Sequence, residues 1–89
     1  MQEITLVIQN KVGLHARPAA LFVQTAKKYK SKVLAIKDER EANAKSILSI
    51  LTLGASQGAV VTVRAEGEDE AEVVKALQQL VDDNFGEPE

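Results

Sequence analysis

The sequence predicts an α+β domain in which a single sheet carries helices on one of its faces. Two observations predict it. Apolar residues alternate over residues 4–8, with further apolar, β-branched runs at 33–37 and 59–65, whereas over 16–29 and 69–81 they recur every three or four positions. The two kinds of segment interleave as strand, helix, two strands, helix, strand, helix, and one sheet under one helical layer is the economical way to bury their apolar faces.

Each element has its own grounds. In Ile4-Thr5-Leu6-Val7-Ile8 the apolar side chains at 4, 6 and 8 fall on one face of a strand, and Asn10-Lys11-Val12-Gly13 ends it with turn residues. From Ala16 to about Tyr29, the positions Ala19, Phe22, Val23, Ala26 and Tyr29 line one side of a helix, opposite Gln24, Lys27 and Lys28. Pro18 falls in its first turn, where a missing N–H is harmless, so the helix begins at Ala16 or Arg17 with His15 just outside its positive end. Residues 33–37 form the second strand, Asp38-Glu39-Arg40 turn the chain, and 41–44 form a short third strand. Ser46 before and Gly54 after the apolar run 47–53 are the start and stop signals of a short helix. The fourth strand, 59–65, is rich in valine. Asp69 and Glu72 have the spacing of a capping box ahead of a last helix whose inner side carries Val73, Leu77, Leu80 and Val81. The domain is expected over 1–86, with 87–89 as a frayed tail.

Composition narrows the function classes. The chain has 89 residues, one histidine and no cysteine, with 45% apolar and 27% charged residues, the profile of a water-soluble globular domain without disulfides or thiolate metal sites. No apolar segment approaches the ~20 residues of a membrane span, and the N-terminus lacks the basic and apolar stretches of a signal peptide, so a cytoplasmic protein is expected. A net charge of −2 argues against nucleic acid as a partner. The cluster Lys27, Lys28, Lys30 and Lys32 reads as cations offsetting the partial negative charge of a helix end rather than as a nucleic-acid patch. No metal-ligand cluster, nucleotide loop or second catalytic carboxylate accompanies the motif described next, which disfavours a freestanding enzyme; neither cofactor nor metal is expected.

Chemistry concentrates in Gly13-Leu14-His15-Ala16-Arg17-Pro18-Ala19-Ala20. His15 lies on a turn, where functional groups gather. The helix starting at Ala16 offers unpaired N–H groups and partial positive charge, both favourable to phosphate. Arg17 adds a planar fork of donors matched to phosphate oxygens, and Gly13 allows a tight turn ahead of the site. A neutral imidazole is nucleophilic near pH 7, and phosphoryl transfer needs alignment and charge stabilisation more than covalent work by the protein. These residues suggest a phosphate site; by themselves they leave open whether it carries cargo, and a ligand-binding or structural domain with an incidental histidine remains an alternative.

The stretch 13–19 resembles the phosphohistidine signature of the HPr family, the histidine-containing phosphocarriers of the bacterial sugar phosphotransferase system. Asn43-Ala44-Lys45-Ser46-Ile47-Leu48 with Leu53-Gly54 is similar to the family's regulatory-serine segment, and Ala65-Glu66-Gly67 with Asp69-Glu70-Ala71 to its last strand–helix junction. The resemblance runs from residue 1 to about 86. It implies an open-faced β-sandwich, a four-stranded antiparallel sheet in the order 1-4-2-3 under three helices. It implies that His15 is phosphorylated on Nδ1 by enzyme I, which draws on phosphoenolpyruvate, and donates to the enzyme IIA domains of sugar permeases, with Ala16 and Arg17 at the phosphate. Ser46, a helix cap on structural grounds, would also be a site for a dedicated kinase/phosphorylase, with a transcriptional regulator as a further partner.

Ile47, Leu48, Ile50, Leu51 and Leu53 are more apolar positions than so short a helix buries on one side. With Ile50 and Leu53 turned to the core, Ile47, Leu48 and Leu51 are expected to form an exposed patch which, with Ala16, Arg17 and Ala20, matches the family's docking face. A monomer is expected. A nitrogen-branch carrier or a catabolite-regulatory paralogue acting as a binding module is the alternative reading. Two departures from common members stand out: the turn at 38–40 has no glycine, and position 24 is Gln where many relatives carry a basic residue.

Overall fold

The computed structural model describes residues 1–86; the expected tail at 87–89 lies outside them. The elements follow the order β1 (Gln2–Val7), α1 (Ala16–Lys27), β2 (Lys32–Lys37), β3 (Arg40–Asn43), α2 (Ile47–Thr52), β4 (Val60–Glu66) and α3 (Glu70–Asp82), with a closing 3-10 turn at Asn84–Gly86. The four strands form one antiparallel sheet in the order β1-β4-β2-β3. β4, the most valine-rich strand, runs down the middle, pairing Val61 with Leu6 of β1 and Val63 with both Ile4 of β1 and Ala35 of β2. Alternation sends Val61, Val63 and Ala65 to the helical side, where all three are fully buried. There they join Phe22 of α1, Ile50 of α2 and Val73, Leu77 and Val81 of α3 in one core.

Several boundaries and roles differ from the sequence expectations. α1 ends at Lys27, two residues short of Tyr29, so Lys27 and Lys28 stand at the helix end as expected while Lys30 and Lys32 lie beyond it. On α3, Val74 is buried and Leu80 only half-buried. After α3, Asn84 and Phe85 both take positive φ, and the Phe85 ring is buried in the core. Asp38 and Glu39 alone make the β2–β3 turn, at φ +49° and +70°, and Arg40 is already the first residue of β3, paired with Lys37. That is the two-residue hairpin whose backbone twist suits antiparallel strands, built here without the glycine it favours.

The capping box at Asp69 does not form. The Asp69 carboxylate makes no cap to its own helix and instead accepts hydrogen bonds from the Lys30 N–H (2.8 Å), the Ser31 N–H (2.9 Å) and the Ser31 hydroxyl. It clasps the α1–β2 junction to the β4–α3 junction. Gly67 makes the close approach feasible, since a Cβ there would stand 2.8 Å from the Ser31 Cα. The Ser31 hydroxyl and then the Lys30 N–H hold the Asp69 carboxyl down from 3.8 to about 2.

Candidate functional site

The turn between β1 and α1 sets His15 in place. The Asn10 side chain donates from Nδ2 to the Gly13 carbonyl (3.0 Å), the Gly13 N–H donates to the Asn10 carbonyl (3.1 Å), and the Leu14 N–H donates to the Ala55 carbonyl (2.8 Å). Leu14 is buried, which anchors the turn one residue ahead of the histidine. Gly13, at φ +66°, lies flat against residues 55–56: a Cβ at this position would stand 2.4 Å from the Ala55 carbonyl oxygen. No side chain larger than hydrogen fits there.

His15 is exposed and extended (φ −133°, ψ 154°) as the residue that precedes α1. Its side chain does not cap the helix, and the first turn carries no acid, so the positive end of α1 that starts one residue on has no internal counter-charge. Ala16 follows at φ +45°, a left-handed conformation that costs an L-residue roughly 1–2 kcal/mol. Arg17 is exposed and takes part in none of the ion pairs among the described residues. Ala20, one turn along the helix from Ala16, is half-buried.

α2 packs beside α1, and a shallow depression of about 170 Å³ lies between the β1–α1 turn and the end of α2, lined by Val12, Leu14, His15, Leu51, Gly54, Ala55 and Ser56. The imidazole therefore sits at the rim of an apolar hollow whose far wall is α2. Ile50 on α2 and Leu53 just after it are buried, while Ile47, Leu48 and Leu51 are 45%, 71% and 37% exposed, the division read from the sequence. Ser46 caps α2, its Oγ accepting a hydrogen bond from the Ser49 N–H (3.3 Å). Nothing in the sequence marked Val12, Ala55 and Ser56 as site residues, because only the fold brings the 55–56 segment against the histidine turn. No group of three or more potential metal ligands occurs among the described residues, and no helix among them is long and apolar enough to cross a membrane.

Chemically, an exposed nucleophilic ring, a helix N-terminus and a free guanidinium can accept an anion from outside, while the apolar hollow offers a partner purchase. The family model for the PTS HPr component phosphorylation site matches residues 2–83. The phosphocarrier protein HPr of Xylella fastidiosa is 46% identical over 98% of each chain. Among solved structures, an HPr from Thermoanaerobacter tengcongensis is 56% identical, covers all of both chains and superposes with a TM-score of 0.98. An HPr dimer from the same organism is 57% identical over 98% of this chain and all of that one, with a TM-score of 0.80.

Proposed function

The chain belongs to the HPr family of phosphocarriers of the phosphotransferase system, and from that premise we propose that His15 is its phosphoryl-carrying residue. The observation that carries this reading is an exposed imidazole at the open, uncapped start of α1. The family works with enzyme I as donor and enzyme IIA as acceptor. In the forward step the lone pair of neutral His15 Nδ1 attacks the phosphorus carried by enzyme I. The new N–P bond forms as the donor's bond to phosphorus breaks, the donor group leaves with the electron pair, and the ring keeps its proton on Nε2. Arg17 and the helix N–H groups beginning at Ala16 stabilise the charge on the phosphoryl oxygens. Reversal toward enzyme IIA empties the ring again. The apolar patch of Ile47, Leu48 and Leu51, with Ala16, Arg17 and Ala20, is the face on which both partners dock. The carrier works as a cytoplasmic monomer, its fold spanning residues 1–86.

Ser46 is the regulatory position. A phosphate there, placed by a dedicated kinase/phosphorylase, would meet the start of α2 favourably and add nearly two negative charges beside Ile47 and Leu48, weakening enzyme I docking and marking the protein for a transcriptional regulator. Incubation with enzyme I and labelled phosphoenolpyruvate tests the main reading. Acid-labile label is expected on the wild type and none on His15→Ala; label retained in that variant refutes it.

A further inference from the structure

Arg40 lies outside the described site, yet it reaches the helix that carries the docking patch. It leaves the tight Asp38-Glu39 turn as the first residue of β3 and shares the helical side of the sheet with buried Ala42, two positions on. From there its Nη1 donates to the Thr52 carbonyl at the end of α2 (3.1 Å).

That bond completes the end of a helix with few resources of its own. α2 has six residues and no basic side chain in its last turn. The Thr52 hydroxyl donates to the Ser49 carbonyl (2.7 Å), the Leu53 N–H to Ile50 (3.2 Å) and the Gly54 N–H to Leu51 (3.4 Å). Thr52 is the remaining carbonyl, and Arg40 supplies its donor along with a full positive charge at the negative helix end. Leu51 and Gly54, on either side of Thr52, line the hollow against His15.

We infer that Arg40 is a positioning residue for phosphoryl transfer, holding the end of α2 so that Leu48 and Leu51 present a fixed docking surface beside His15. The inference rests on the proposed docking role of that patch. It predicts a defect in partner encounter rather than in chemistry, because Arg40 acts through α2 and leaves the imidazole and Arg17 untouched.

The test measures initial rates of phosphoryl transfer from phosphorylated enzyme I against carrier concentration for wild type, Arg40→Met, Arg40→Lys and Leu48→Ser, together with amide exchange. Arg40→Met is expected to raise KM three- to tenfold with kcat within twofold. Arg40→Lys, which keeps a cationic donor, is expected to recover at least half of that loss on a logarithmic scale. The Leu53 and Gly54 amides of Arg40→Met should exchange at least fivefold faster while those of β4 stay unchanged. An unchanged KM in Arg40→Met, or unchanged exchange at Leu53 and Gly54, overturns the positioning role even where Leu48→Ser confirms the patch. A KM raised by Arg40→Met but not by Leu48→Ser also overturns it, since Arg40 would then act on the partner directly.

Discussion

Glu39 occupies a left-handed backbone position with a bulky L side chain, next to Asp38 in the same region. Such a conformation costs about 1–2 kcal/mol per residue, while glycine there would give back about 0.4–1 kcal/mol through a freer unfolded chain. Glu39→Gly should therefore stabilise the protein by about 0.5–1 kcal/mol, read as a higher urea midpoint at unchanged slope. The missing glycine was visible in the sequence as a departure; the geometry it leaves strained was not, because nothing local to 38–40 reveals that the loop has only two residues. Ala16 gives the same lesson at the site. A helix start was legible from Pro18 and the apolar spacing, but alanine gives no warning of a positive φ.

α2 shows how much a short element can disclose. Its limits were marked by Ser46 and Gly54, and the split between buried Ile50 and Leu53 and exposed Ile47, Leu48 and Leu51 followed from there being too many apolar residues for one buried side. The hydrogen bond at its far end was illegible, since Arg40 arrives from β3. Ser46→Ala should cost about 0.5–1 kcal/mol in chemical denaturation, at the low end for a cap because the Ser46–Ser49 bond is long. α3 shows the opposite failure. The Asp69–Glu72 spacing announced a cap, but Asp69 lies at φ −106°, ψ 27° rather than in the extended conformation that aims a cap side chain at its own helix, and a tertiary partner claimed it.

Asp69 bridges chain positions 38 and 39 residues apart, so its protonation bears on the fold entire. The hydrogen bonds from Ser31 and Lys30 hold its carboxyl at about 2 in the folded protein, against an ordinary value of 3.8. Above about pH 4 both states hold it ionised and its stabilising contribution is complete. As the pH falls below that, the unfolded chain takes up the proton first, and the contribution disappears as the pH passes through about 2. Asp69→Asn should therefore be less stable than wild type at pH 7, with the difference shrinking between pH 4 and 2 in urea titrations. A difference that persists undiminished at pH 2 would show that another group carries the effect. The arrangement of the strands was beyond periodicity alone: alternation identified strands and their faces, while their order came from the resemblance, because pairing is decided by residues far apart in sequence.

His15 stands exposed on its turn, at the rim of an open hollow. In the proposed carrier role such a berth admits one visitor at a time, because supplier and recipient must each reach the same ring. In that role a partner that gripped the Leu48 and Leu51 surface too well would slow the flow as surely as one that missed it, because the next visitor must wait for it to leave.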